Sequence, residues 1–245
     1  MKLRTSVIAG LLILTAACEN RGGAPGRPSP DSQVVRPDQV TSFSTLYGAN
    51  CAGCHGPGGT GGAAQPLSDP LFLAIADDDA IRRVVQKGVP GTAMPAFARS
   101  AGGMLTDQQI DAIVGGIRSR WAAPEKFRGV DLPPHAAHET GDPRRGAQVY
   151  AFYCASCHGV GGRGGEKASS IVDGSYLALV SNQSLRTTVI VGRPELGAPD
   201  FRGNFPGKAM SPADVSDVVA WLAAQRPEVA GQPYPAARAA VGERP

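Results

Sequence analysis

Two short stretches of the sequence share one pattern and decide the fold. Residues 50–62 read NCAGCHGPGGTGG, and residues 153–165 read YCASCHGVGGRGG. In each stretch two cysteines stand three positions apart, and a histidine follows the second cysteine at once. The two copies are offset by 103 residues, counted from first cysteine to first cysteine. The chain therefore contains an internal repeat.

The C-x-x-C-H pattern is the attachment signal for haem c. Two thiols on neighbouring positions of a helical turn face one porphyrin edge and bond to its two vinyl groups. The next side chain, an imidazole, then binds the iron from the proximal side. A zinc half-site or a redox dithiol would not explain a histidine after both pairs. The sequence thus predicts two covalently attached haem c groups. The thioether residues are Cys51, Cys54, Cys154 and Cys157, and the proximal iron ligands are His55 and His158.

A tyrosine and a glycine-rich loop flank each attachment motif. Tyr47 and Tyr150 stand four residues before the first cysteine, one turn back on the same helix face. The loops that start at Gly56 and Gly159 match G-x-G-x-x-G, but a dinucleotide-binding fold needs that motif between a strand and a helix. Here it follows the attachment turn, which predicts a loop whose glycines let the backbone pass close to the haem edge.

Each repeat ends in a predicted helix with a clear start. Thr106 and Gln109 form a capping box in the first repeat. In the second, Ser211 is the predicted N-cap and Pro212 the first helical residue. Apolar residues then recur at helical spacing, which predicts a core-facing stripe. The stripes consist of Ile110, Ile113, Val114 and Ile117, and of Val215, Val218, Val219 and Leu222.

Taken together, these features make each half resemble a class I cytochrome c domain. The resemblance implies an all-α fold of two tandem domains, each a small helical bundle around a covalent haem. The expected domains are residues 41–121 and 142–227. Residues 122–141 are the expected linker, and residues 228–245 an expected loose tail rich in alanine and proline.

The resemblance also implies a methionine as the sixth iron ligand, and here the halves differ. Met94, followed by the stiff residue Pro95, is the expected ligand in the first half. In the second half the repeat places Ala198 at the position of Met94. Met210 is the only later methionine, but it aligns with Leu105, next to the helix cap. Met210 is therefore one candidate for the sixth ligand of the second iron. The alternative is an iron whose sixth position is open or holds water.

Other residues remain open as alternatives for the second site. His135 and His138 in the linker are either a distant ligand or exposed loop histidines, and Lys208 is a weaker candidate. Arg82 and Arg186 share one repeat position. They either pair with haem propionates or belong to a solvated helix face.

The N-terminus has the features of an export signal. Residues 1–17 carry two basic residues and then an apolar run over 7–17, which is shorter than the ~20 residues of a membrane span. Small residues precede Cys18, as in a bacterial lipobox, so Cys18 is the predicted lipidation site. The alternative is ordinary cleavage that leaves Cys18 as a spare thiol. Residues 18–40, rich in proline and glycine, are the predicted flexible tether.

These residues predict an electron carrier on the periplasmic side of a membrane. The net charge of +3 is too small to indicate a nucleic-acid partner. The expected partners are electron-transfer proteins or respiratory-complex subunits, between a quinol-oxidising complex or dehydrogenase and an oxidase or soluble cytochrome. The alternative is a haem redox enzyme, similar to a peroxidase or a thiosulfate dehydrogenase, that uses an open second haem.

Overall fold

The computed structural model describes residues 35–203 and 205–227. The predicted signal segment, Cys18, most of the tether and the predicted tail lie outside these residues. All regular elements within the described ranges are helices, which confirms the predicted all-α fold. The described residues from Val40 onward belong to one compact unit, so both repeats are part of it. The predicted domain boundaries stay a prediction.

Five α-helices occur in each repeat, in the same order. The first repeat contains α1 (Phe43–Asn50), α2 (Ala52–His55), α3 (Pro70–Ile75), α4 (Asp78–Lys87) and α5 (Asp107–Trp121). The second contains α6 (Pro143–Tyr153), α7 (Ala155–His158), α8 (Gly174–Leu179), α9 (Asn182–Val191) and α10 (Pro212–Ala223). The linker between them holds a short 3₁₀ helix, Pro124–Phe127.

The predicted helix starts and apolar stripes are confirmed. Thr106 accepts a hydrogen bond from the Gln109 backbone N–H, and the Gln109 side chain bonds back to Thr106. Ser211 forms the same capping box with Asp214. All eight stripe residues are buried. The last helix of each repeat therefore packs through the face that the spacing predicts.

Glycines allow the first and last helices of each repeat to cross closely. A side chain at Gly116 on α5 would overlap the ring of Phe43 on α1. At the equivalent crossing, a side chain at Gly146 on α6 would overlap the backbone of Asp217 on α10. The halves thus reach the same crossing with the glycine on opposite helices.

An arginine satisfies the carbonyls at the end of the third helix in both halves. Arg118 and Arg226 each donate to two backbone oxygens that have no further partner within their short helix. The acceptors are Leu73 and Ala76 in the first half, and Leu177 and Val180 in the second. The acceptors are equivalent in the repeat, but the two arginines are not, so self-comparison of the sequence does not reveal this contact.

The two halves share one hydrophobic core. Ile190, Val191 and Phe201 of the second half belong to the same buried cluster as Leu71 and Phe72 of the first. Linker side chains pack against this cluster, so the linker is part of the folded unit. A smaller cluster around Leu177 lies within the second half.

Arg186 anchors the linker to the second half. It is 2% exposed and donates to the carbonyls of Pro134 and His135 and to the Ser216 hydroxyl. Its repeat partner Arg82 instead forms an ion pair with Asp111 on α5. Serine stands where the first half has this aspartate, so the guanidinium of the second half finds its acceptors in the linker. Both arginines therefore have partners within the protein. This is a third arrangement beside the two that the sequence left open, namely pairing with haem propionates and exposure on a solvated helix face.

We expect Arg186→Met to destabilise the protein and Arg82→Met to have little effect. Each buried carbonyl left without a donor costs about 1–3 kcal/mol, so Arg186→Met should lower the free energy of unfolding by about 3 kcal/mol. Loss of the exposed Arg82 pair should cost less than about 1 kcal/mol. Urea unfolding followed by circular dichroism measures both values. Equal losses in the two variants would contradict the role assigned to Arg186.

Candidate haem-binding sites

A helical break at the first cysteine shapes each attachment turn. The Cys51 N–H closes α1 on the Tyr47 carbonyl at 2.8 Å, and the Cys51 carbonyl then accepts the His55 N–H at 3.0 Å. The same bonds connect Tyr150, Cys154 and His158, at 2.9 and 3.0 Å. All four motif cysteines are free of disulfides. Each turn thus places two available thiols and one imidazole on a single turn of helix.

Backbone carbonyls orient both histidine rings. His55 Nδ1 lies 2.7 Å from the Gln65 carbonyl oxygen, and His158 Nδ1 lies 3.0 Å from that of Ser169. A carbonyl oxygen only accepts, so Nδ1 carries the proton in each ring and Nε2 keeps its lone pair for a metal. Burial also lowers the pKa of His55, because it disfavours the charged form of this imidazole. These features are those of a proximal iron ligand.

Each tyrosine ties its attachment turn to the loop that follows. The Tyr47 hydroxyl donates to the Gly56 carbonyl at 2.8 Å, and the Tyr150 hydroxyl donates to the Gly159 carbonyl at 2.6 Å. Burial raises the pKa of Tyr47 to about 12, so the hydroxyl keeps the proton that it donates. The sequence placed these tyrosines on the correct face but did not indicate their acceptors.

Two tryptophans, which the sequence motifs do not indicate, pack against the rings of these tyrosines. Trp121 at the end of α5 meets Tyr47 edge-on, with ring centroids 5.2 Å apart. Trp221 in α10 stacks on Tyr150 at 4.3 Å. They are the chain's only tryptophans, and each lies in the last helix of its repeat. Their positions within those helices differ, so the repeat alignment hides their common role.

The glycine-rich loops fold back onto the attachment turns. Gly56 and Gly159 have φ values of 83° and 74°, a region that favours glycine. A side chain at Gly56 would overlap the Thr60 carbonyl, and one at Gly62 would overlap the Cys54 carbonyl. The loop therefore packs closely against itself and against its own attachment turn. The predicted approach of this backbone to the haem edge stays a prediction.

The loops that contain Met94 and Ala198, residues 88–97 and 192–201, are called the distal loops, and they have one backbone hydrogen bond in common. The Val89 N–H donates to the Met94 carbonyl at 3.0 Å, and the Arg193 N–H donates to the Ala198 carbonyl at 3.0 Å. Met94 and Ala198 are both half-buried. The structure thus places Ala198 at the position that Met94 has in the first half. Iron ligation by Met94 stays a prediction.

Met210 lies at the position of Leu105. The Leu105 N–H donates to the Phe97 carbonyl and the Met210 N–H to the Phe201 carbonyl, both at 2.8 Å. Leu105 is 6% exposed and Met210 is 7% exposed, and both belong to the shared core. Iron ligation by Met210 is likewise untested, but its surroundings are those of a core residue.

The other candidate ligands lie in different surroundings. The His135 ring packs edge-on against Phe72, with centroids 6.4 Å apart, and His138 is exposed. The Lys208 ammonium lies 5.3 Å from the centre of the Phe152 ring. His135 and His138 belong to the linker, whereas Lys208 lies in the same connection between α9 and α10 as Ala198, ten residues further on.

The glycine-rich loop after His55, residues 56–65, contacts the second half. Gln65, whose carbonyl orients His55, also meets the Thr188 hydroxyl on α9 through its side-chain oxygen at 3.4 Å. Arg193, just after α9, donates to the Gly62 carbonyl at 3.1 Å. We call these four residues, Gly62, Gln65, Thr188 and Arg193, the junction. It joins the histidine loop of one half to the distal loop of the other.

The donor set fits haem c at both sites. Each site offers two free thiols, an imidazole with its Nε2 available and a loop that holds this arrangement by close backbone contacts. A helical protein with two such sites is a di-haem c-type cytochrome. Its family follows from the sequence profile described as cytochrome c oxidase, cbb3-type, subunit III, which matches residues 38–115 and 141–222. The chain belongs to this family.

Individual relatives agree with this assignment. The FixP subunit of a cbb3-type cytochrome c oxidase from Sinorhizobium medicae is 30% identical over 59% of this chain and 50% of its own length. The cytochrome c subunit of a Mycobacterium bovis cytochrome bc1 complex is 25% identical over 90% of this chain and 77% of its own length. A CcoP subunit from Azospirillum is 33% identical over 47% and 38%, respectively. The chain thus spans about half or less of the length of these two oxidase subunits.

We expect Gly56→Ala to impair the first haem site. The added Cβ would overlap the Thr60 carbonyl in a backbone conformation that alanine avoids, so the haem content should fall from about two per chain toward one. Gly53→Ala, inside the same motif, is the matched control because a Cβ there meets no atom within 4 Å. The pyridine haemochrome spectrum measures the content. Full content in Gly56→Ala would show that the loop contact is dispensable.

Proposed function

We propose that this chain is an electron-transfer subunit of a respiratory complex, in which both haem sites serve one relay. It carries electrons between a quinol-oxidising complex or dehydrogenase and an oxidase or soluble cytochrome. The observation that carries the proposal is the junction, since it connects two complete attachment sites within one core. Independent haem domains on a flexible linker would not need such contacts.

The residues of the chain hold and orient the cofactors. When bound, each haem iron supplies a one-electron redox couple. Cys51, Cys54 and their counterparts fix the porphyrin, so electron transfer does not depend on reversible cofactor binding. The Nδ1 hydrogen bond of His55 fixes its ring orientation and makes Nε2 a stronger donor to the iron. His158 does the same in the second half.

The partners are proposed from the relatives. The relatives are subunits of a cbb3-type cytochrome c oxidase and of a cytochrome bc1 complex. We propose that this chain is attached to the periplasmic side of a membrane through a lipid on Cys18. Among the described residues, no helix is both long and apolar enough to cross a bilayer. Mass spectrometry of the mature N-terminus tests the lipid anchor.

A relay requires both attachment sites, and this gives the test. Two double variants, Cys51→Ala with Cys54→Ala and Cys154→Ala with Cys157→Ala, remove one covalent site each. We expect each to abolish most quinol-driven oxygen consumption when it replaces the wild-type chain in its own membranes. An oxygen electrode measures this rate, and immunoblotting of the membranes shows that the variant chain is present.

Gly53→Ala is the control for the respiratory assay, because it alters the motif without a steric clash. It should keep the wild-type rate. An unchanged rate in either double variant, with the chain present in the membrane, would exclude a relay that uses both sites.

A haem redox enzyme is the second candidate function, and Ala198 at the position of Met94 is the observation that favours it. A reactive iron needs a free position, which an alanine leaves. Turnover of thiosulfate or hydrogen peroxide by the purified protein tests this candidate. Absence of turnover with both substrates would leave the relay as the function.

A further inference from the structure

The distal loop of the second half carries the strongest unassigned feature of the molecule. Its backbone has one hydrogen bond in common with the first half, because the Arg193 N–H donates to the Ala198 carbonyl as the Val89 N–H donates to the Met94 carbonyl. In the second half the Ala198 N–H also donates back to the Arg193 carbonyl. The preceding glycines pack alike as well: side chains at Gly88 and Gly192 would meet the carbonyls of Met94 and Ala198, respectively. At the predicted ligand position the side chain changes from a thioether to a methyl group.

Met210 cannot replace the missing thioether without leaving its place in the fold. Its N–H is bonded to Phe201, its side chain lies in the core, and the next residue is the N-cap of α10. Leu105, which never binds iron, has the same three features in the first half. A shift of Met210 toward the iron would therefore open the core and disturb the start of α10.

The loop around Ala198 is also more polar than its counterpart. Two ion pairs border it, Arg193 with Glu195 and Arg202 with Asp200. The equivalent positions of the first half are uncharged, namely Val89, Gly91, Ala98 and Ala96. An apolar loop suits a buried sulfur ligand, whereas charged residues beside an alanine suit a position that solvent or a small molecule can reach.

We propose that Ala198 leaves the sixth position of the second iron without a protein ligand, so that this site binds a small exogenous iron ligand. The ligand class is a diatomic molecule such as carbon monoxide on ferrous iron or a small anion such as cyanide on ferric iron. The first site, with Met94, does not bind such ligands. The proposal rests on haem attachment and not on the relay, so failure of the respiratory assay would leave it intact.

Carbon monoxide is the probe, and the protein is the purified chain with both haems attached. The optical difference spectrum of the dithionite-reduced protein, titrated with carbon monoxide, gives the number of ligands bound per haem. We expect the wild type to bind about one carbon monoxide per two haems, and Ala198→Met to bind none, since a thioether then occupies the position.

Two control variants identify the haem that reacts. Met210→Leu keeps the core packing and should leave carbon monoxide binding unchanged. Met94→Ala should open the first site and raise binding to about two per chain. Wild-type protein that binds no carbon monoxide would overturn the proposal. A Met210→Leu variant that binds more than the wild type, or a Met94→Ala variant that still binds only one, would overturn it as well.

Discussion

The hydrogen bond from each histidine to a backbone carbonyl is the constraint on which the two sites depend. An imidazole that gives its Nδ1 proton to the Gln65 or Ser169 carbonyl must present Nε2 to the iron. To bring that carbonyl back to the histidine, the chain has to reverse direction within ten residues in the first half and eleven in the second. The reversal requires glycine where φ is positive, and it requires Tyr47 or Tyr150 to hold the loop from the opposite side.

The two halves keep the proximal arrangement and diverge on the distal side. Both attachment turns have the same cap bonds, the same tyrosine contact and a tryptophan from the last helix. The distal loops share a backbone but differ in charge and in the residue at the ligand position. Of the two sides of each candidate site, the distal side is therefore the one at which the halves differ most in charge and in possible iron ligands.

The sequence predicted the features that depend on local spacing. The attachment motifs, the helix caps and the buried stripes all follow from residues a few positions apart, and the repeat doubled the evidence for each. Features that depend on contacts between distant segments were missed. Arg118 in α5 and Arg226, three residues after the end of α10, donate to equivalent carbonyls of the two halves. Trp121 and Trp221 likewise contact the equivalent tyrosines from positions that do not correspond in the repeat. A residue-by-residue alignment cannot detect such replacements.

The junction makes Gln65 a residue that both halves use. Its carbonyl positions the histidine of one iron, while its side chain contacts the helix that leads to the distal loop of the other. The orientation of the His55 imidazole therefore depends in part on a helix of the second half. The two halves cannot be separated without removing a support of the first haem site, so this site belongs to the whole unit and not to its own repeat alone.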